Sequence, residues 1–150
     1  MSFSFLIQNQ FDNSTNPKLF SRIKKENQLG NSFSSTTSIY IVAVINDIEA
    51  GVAQLEFNDW DNQKHIGHLK NLFVMDEWQS RGAFQALLLQ VIQVANDYNL
   101  VKIWCQLPSQ SKSKTIILAQ NVGFKIIYQQ SKQIFWNNTF YDTTMLAKII

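Results

Sequence analysis

Gln79-Ser80-Arg81-Gly82-Ala83-Phe84 is the stretch whose residue types and placement bear most directly on chemistry. Its glycine stands where a polar turn, Met75 to Arg81, passes into a segment whose apolar residues recur at three and four. These are Ala83, Leu87, Val91, Val94 and Ala95, with Ala86 and Leu88 beside them. The pattern predicts a helix over Gly82 to Asn96. The first turn of such a helix has backbone N–H groups with no intrahelical acceptor, and the positive end of its dipole points the same way, so the junction suits a phosphate. A pyrophosphate-bearing cofactor is one reading of this spacing, and a plain connection from strand to helix is the other.

Few other residues invite a chemical role. His65 and His68 are three apart in a predicted strand, which puts them on opposite faces and argues against a shared metal site. His68 titrates in a range that suits a general base, and it equally suits a satisfied surface or core histidine. Glu56, on the preceding strand, has the same two readings: base or solvated carboxylate. Cys105 lies inside a β-branched and aromatic run with no histidine close in sequence, which reads as an inert core thiol. Asp76 and Glu77 bring negative charge close to the candidate phosphate site and are expected to point to solvent.

Those residues need elements to hold them. Phe3, Phe5 and Ile7 alternate with polar neighbours and predict a first strand over residues 2 to 9. Asn16-Pro17 opens a predicted helix, Lys18 to Gln28, and Gly30 closes it. A polar loop, Asn31 to Ser38, then leads into an antiparallel hairpin, Ile39 to Ile45 and Ile48 to Asn58, turned at Asn46-Asp47. After a loop containing Trp60, His65 to Val74 enters the central motif. A strand follows the long helix over Val101 to Leu107, then a short helix over Thr115 to Val122 with Gly123 past its end. Phe124 to Gln130 is a strand, and the chain closes on a hairpin, Ile134 to Trp136 and Thr139 to Ile149, turned at Asn137-Asn138. Antiparallel strands followed by a strand, helix and parallel strand predict an α/β mixed sheet with helices on both faces.

In this setting Gln79 and Gly82 occupy the first and fourth positions of Gln/Arg-x-x-Gly-x-Gly/Ala, and the sequence resembles motif A of the GNAT acetyltransferase superfamily. The sixth position, Gly or Ala in that pattern, is Phe84, whose ring must point away from a ligand or crowd it. Ile116 to Phe124 is similar to the family's Ala-Ile-x-Leu-Tyr-x-x-x-Gly-Phe run, and Tyr141 to Leu146 to the closing strand of bacterial members. The resemblance covers about Ile39 to Lys148. It implies one domain over residues 1–150, with a mostly antiparallel sheet flanked by helices and a V-shaped splay between the fourth and fifth strands. It also implies acetyl-CoA as acyl donor, with the backbone of Leu72, Phe73 and Val74 on the pantetheine and thioester and the N–H groups of Gln79, Ser80, Arg81, Gly82, Ala83 and Phe84 on the pyrophosphate. Ser111 and Lys112 would flank the cofactor, with Lys112 and Lys114 either reaching the 3′-phosphate of CoA or forming a solvated loop.

The implied reaction is direct attack of a primary amine of a small molecule or protein on the thioester, which requires removing a proton from the ammonium. The family's tyrosine acid aligns with Ala119 and its fifth-strand glutamate with Gln106, so catalytic residues are unassigned, with His68, Glu56 and Tyr141 as candidates and Tyr128 beside them. A catalytically impaired acyl-CoA-binding or regulatory module of the same fold is the alternative. Trp60, Phe135, Trp136 and Tyr141 suit an aromatic-lined acceptor site, or equally edge packing or a homodimer contact.

Composition narrows the remaining classes. The 150 residues suit one domain, and 45% hydrophobic with 16% charged residues indicates a globular chain. A net charge of +2, with its cations scattered, lacks the dense basic stripe of a nucleic-acid binder. No apolar run approaches the ~20 residues of a membrane span, MSFSFLIQNQ lacks the features of a signal peptide, and a lone cysteine fits a reducing cytoplasm. Nucleic acid and membrane partners are therefore not expected, and the expected location is cytoplasmic.

Overall fold

The computed structural model describes residues 3–8, 36–58, 64–109 and 114–150. Among the described residues seven strands form one sheet in the order β1-β2-β3-β4-β5-β7-β6. They are β1 (Ser4–Gln8), β2 (Thr36–Ile45), β3 (Ile48–Asn58), β4 (Ile66–Val74), β5 (Lys102–Pro108), β6 (Lys125–Trp136) and β7 (Thr139–Ile149). Among the described residues three helices accompany them: α1 (Asp76–Gln79), α2 (Ala83–Asp97) and α3 (Lys114–Asn121). Every neighbouring pair is antiparallel except β4 with β5, the two strands joined through α2. A parallel pair needs such a crossover, because the chain must return to the starting edge before the second strand can begin.

The expected strands and helices are present with several changes. Residues 36–38, expected as loop, extend β2, because Thr36 to Ser38 pair with Asn58 to Glu56 of β3. The turn Met75 to Arg81 contains the short helix α1, which Asp76 and Glu77 open; both are exposed, and carboxylates there favour the positive end of the helix. The two expected segments Phe124–Gln130 and Ile134–Trp136 are one twelve-residue strand, β6, bulged at Ile127 and again between Gln130 and Ile134. The helix expected at Lys18–Gln28, and with it a helical layer on the second face, lies outside the described residues.

Both hairpins turn where Asn and Asp are placed. Asn46 and Asp47, and likewise Asn137 and Asn138, have positive φ, the backbone that short hairpin turns require and that Asn and Asp tolerate. At the end of α3, Gly123 sits at φ +103 and Phe124 N–H reaches back to the Ala119 carbonyl at 3.0 Å, closing the helix as predicted.

The main core lies on the face that α2 covers. Ile39, Ile41, Leu55, Leu69, Ile103 and Leu146 project from the sheet onto Leu87, Leu88, Val91 and Ala95 of α2. All the apolar residues that define the helical period are buried except Ala86, which is half-buried. Cys105 belongs to this core, where burial pushes its thiol up to about 12, so the residue is packing and no nucleophile.

Candidate functional site

The site is built where β4 and β5 part. Their pairing runs from Ile66↔Lys102 to Leu69↔Cys105 and stops, while β4 continues to Val74 and β5 to Pro108. Two strands that continue without each other leave a wedge whose facing backbone groups need partners. A bulge on β4 contributes to the parting. Val52 faces Phe73 and Gln54 faces Lys70, so Asn71 and Leu72 share the space opposite Ala53, and Asn71 takes φ +51. A bulge bends its strand and releases a residue from the ladder. Asn71 Nδ2 donates to Gln54 Oε1 at 2.5 Å, and Gln54 Nε2 donates to Ser38 Oγ at 3.0 Å, with Gln54 only 2% exposed. Sequence reasoning missed Asn71. The available signal was an asparagine, a residue that accepts left-handed backbone, within an otherwise apolar strand end.

The wedge leads to the start of α2. Met75 N–H bonds the Ala50 carbonyl, Gln79 Nε2 donates to the Val74 carbonyl at 3.0 Å and to Asp76 Oδ1 at 3.3 Å, and α1 is thereby tied to the end of β4. Gly82 then caps α2 at φ +80 without a side-chain hydrogen bond, and the first backbone bond of the helix is Ala86 N–H to the Gly82 carbonyl. The N–H groups of Ala83, Phe84 and Gln85 precede that bond, as the first donors of any helix must. A Cβ on Gly82 would meet nothing within 4 Å, so the glycine opens onto free space. That space is a cavity of about 320 Å³ bounded by Gln79, Ser80, Gly82 and Gln85 on one side and by Lys114 and Ile117 of α3 on the other.

Within this loop the side chains are committed elsewhere. Phe84 is 7% exposed and packs in the main core while also lining the cavity. Arg81 lies over the Trp78 ring at 5.2 Å. The Gln79 amide holds Val74, as described, and Ala83 is fully buried. What the stretch offers a ligand is therefore mainly backbone N–H, with Lys114 of α3 also lining the cavity. Ser111, Lys112 and Trp60 lie outside the described residues.

The proton-handling candidates stand on the opposite face of the sheet from α2. Leu69, Leu55 and Cys105 point into the core, and alternation sends His68, Lys70, Glu56, Trp104 and Gln106 the other way. His68 is directly opposite Glu56 on β3 and Trp104 on β5, one residue before β4 and β5 separate. His68 is exposed at the surface, yet desolvation by the atoms around it and the nearby Lys70 ammonium push its pKa below 6.5, with Glu56 opposing them. Glu56 is held by Lys70 at 2.8 Å. Gln106 donates to Thr143 Oγ1 at 2.8 Å and carries no titratable group. Ala119 is 1% exposed in the core and has none either.

The tyrosines are less central. Tyr128 faces Met145, which faces Gln106 across β7, so its phenol shares the Gln106 row two strands away. Tyr141 pairs with Ile134 beyond Pro108↔Thr143, the last pair between β5 and β7, and is therefore out on the terminal hairpin. The structure brings His68, Glu56 and Lys70 together near the wedge and leaves Tyr141 apart. Among the described residues no group of three His, Cys, Asp or Glu side chains could hold a metal ion, and no helix is long and apolar enough to cross a membrane.

Comparison with known proteins meets this geometry. The protein-family model for the acetyltransferase (GNAT) domain matches residues 6–145. No curated protein matches the chain in sequence. Among solved structures, a Bacillus subtilis acetyltransferase in complex with CoA superposes with a TM-score of 0.73 at 18% identity, over 99% of each chain. A GNAT family acetyltransferase from Elizabethkingia anophelis with acetyl-CoA bound gives 0.71 at 20%, over 97% of this chain and 98% of that one. An IAA acetyltransferase from Bacillus cereus gives 0.73 at 19%, over 98% and 100%. At such identities the likeness is one of fold.

Proposed function

The chain belongs to the GNAT acetyltransferase family, and from that premise we propose that it moves acetyl from acetyl-CoA to a primary amine of a small molecule or protein by direct transfer, in the cytoplasm. The observation that supports this best is the continuity of the β4–β5 wedge with an uncapped helix start and a cavity faced by Lys114. The N–H groups of Ala83, Phe84 and Gln85, with Gly82 allowing close approach, would hold the pyrophosphate. The backbone of Leu72, Phe73 and Val74 would pair with the pantetheine arm as a strand would, and a freed N–H there would polarise the acyl carbonyl.

Acetyl-CoA supplies the acyl group already activated as a thioester. The residues of this chain handle the proton. His68, kept neutral at pH 7 by its lowered pKa, accepts the proton of the incoming ammonium, directly or through one water. The amine nitrogen forms its bond to the acyl carbon as the carbon–sulfur bond breaks, the thiolate departs with the electron pair, and the second nitrogen proton passes to that thiolate, giving the amide and the free thiol. Because a thiolate is a fair leaving group, this scheme works without the hydroxyl that Ala119 lacks.

Thermal unfolding with saturating acetyl-CoA tests the cofactor half. At about 100 times the dissociation constant the native state gains roughly 2.7 kcal/mol, a midpoint rise of roughly 5 to 10 °C for a chain of this size. Adenosine monophosphate is expected to give little. No rise with acetyl-CoA or CoA would overturn the proposal, and a rise without thiol release across an amine panel would favour the impaired acyl-CoA-binding module.

His68 gives a second expectation, read in the pH profile of kcat/KM. A base must be unprotonated, so activity falls as pH drops through a pKa below 6.5. Lys70→Ala removes a cation that holds this pKa down and shifts the acid limb to higher pH, and His68→Gln lowers the rate by ~100-fold or more. An unchanged acid limb in both variants would remove His68 from the mechanism.

A further inference from the structure

β4 and β5 have neighbouring strands on both sides, yet His68, Lys70 and Gln106 are exposed in the middle of the sheet. All three lie on the face away from α2. Elsewhere on that face Tyr40, Val42 and Val52 are buried, so the opening is local to the strands that part. An amine that gives its proton to His68 must arrive from this side, because α2 fills the other. The charges around the opening therefore act on the acceptor.

Trp104 is directly beside His68 and half-buried. Lys102, two residues earlier on β5 and on the same face, carries its ammonium over the Trp104 ring, 4.2 Å from the centroid, which brings the charge toward His68. Lys70 lies two residues beyond His68 on β4. The one carboxylate among these side chains, Glu56, is held by Lys70 at 2.8 Å. Lys102 has no carboxylate partner among the described residues, and an aromatic ring satisfies an ammonium less well than an anion does. With His68 neutral, two lysines face one carboxylate, and the unbalanced charge is the Lys102 ammonium. Gln106 donates to Thr143 and adds no charge.

We propose that Lys102 selects the acceptor, an amine whose own molecule carries a carboxylate, with the amine at His68 and the carboxylate at Lys102 across the Trp104 ring. This rests on the acetyl-transfer reading above and adds the class of substrate to it. A carboxylate there gains a charge-assisted hydrogen bond, and it offsets the repulsion that Lys102 and Lys70 exert on the incoming ammonium. A polyamine or a lysine-rich peptide instead sets further ammonium groups against both lysines. Among the described residues of the opening no free carboxylate receives them.

Thiol release from acetyl-CoA tests this with amino acids of increasing amine-to-carboxylate spacing, the primary amide of each, and spermidine. The best acid is expected to exceed its own amide roughly tenfold in kcat/KM, with the difference in KM, and to exceed spermidine as well. Lys102→Met keeps the apolar stem over the ring and removes the charge. It should cost the acid roughly tenfold more than it costs the amide, and Lys102→Arg should restore most of the preference. Lys132→Met removes the same charge from the terminal hairpin, beyond the last pair between β5 and β7, and should leave the preference in place. Amides or spermidine outranking the acids would overturn the proposal and leave acetyl transfer standing, as would an equal loss for acid and amide in Lys102→Met. Absence of thiol release with every amine would overturn both.

Discussion

Gly82→Asp is expected to abolish acetyl-CoA binding in a protein that remains folded. The position is at φ +80 with open space around a would-be Cβ, so the side chain meets no steric obstacle. Aspartate tolerates left-handed backbone better than most residues, and a carboxylate beside a helix start is electrostatically favourable. The fold should therefore lose only roughly 1–2 kcal/mol, the cost of a side chain in left-handed backbone. The same carboxylate would occupy the space in front of the Ala83, Phe84 and Gln85 N–H groups and repel a pyrophosphate. A loss of at least ~100-fold in affinity corresponds to about 2.8 kcal/mol. Titration calorimetry, with urea unfolding as the control, measures both quantities. Gly82→Ala separates backbone strain from charge and should lose far less affinity. Unchanged binding in Gly82→Asp would remove this helix start as the cofactor site.

Phe84→Ala has the largest expected effect on stability. Removing a ring buried in the core of α2 and the sheet costs ~3–5 kcal/mol, through lost transfer energy and the cavity left behind. For a domain of this length that lowers the unfolding midpoint by roughly 10 °C. Read from the motif alone, the same residue stands where small side chains let a ligand approach, and shortening it would be a route to tighter binding. With the ring packed in the core, shortening it mainly leaves a void among core residues. Acetyl-CoA affinity, measured well below the midpoint, should stay the same or fall. A tighter complex with unchanged stability would mean that the ring faces the ligand.

The histidine and the phenylalanine show why the sequence went only part of the way. Asn46-Asp47 and Asn137-Asn138 were legible as turns because positive φ is a local demand that few side chains meet. The long helix was legible because its buried positions repeat at the helical period, and the parallel strand because a long crossover leaves few alternatives. The bulge at Asn71 was not legible. Whether a strand stays in register depends on the strands beside it, and its polar support comes from Ser38 and Gln54, residues remote in the chain.

The same division holds for the chemistry. Alternation along β4 assigns His68 and Leu69 to opposite faces, but the lowered pKa of His68 depends on how closely the packed strands desolvate it and on Glu56 across the sheet, which the pattern of one strand does not specify. Cys105 was readable as inert because its flanking residues are apolar on its own strand. β6 divided into two expected pieces because its centre, Gln129 to Gln133, is polar; only pairing with β7 makes the twelve residues one strand.

By itself the sequence determined most of the succession of strands and helices among the described residues, the helix start at Gly82 and the absence of a tyrosine at 119 and a glutamate at 106. These are properties of residues and of short periods, which the chain carries with it into any fold. The tertiary structure decided where β4 and β5 part, that Phe84 turns into the core, and that Asn71 bends the strand. Each of these depends on which side of a packed sheet a side chain or backbone group meets, and that is settled by contacts between residues far apart in the chain.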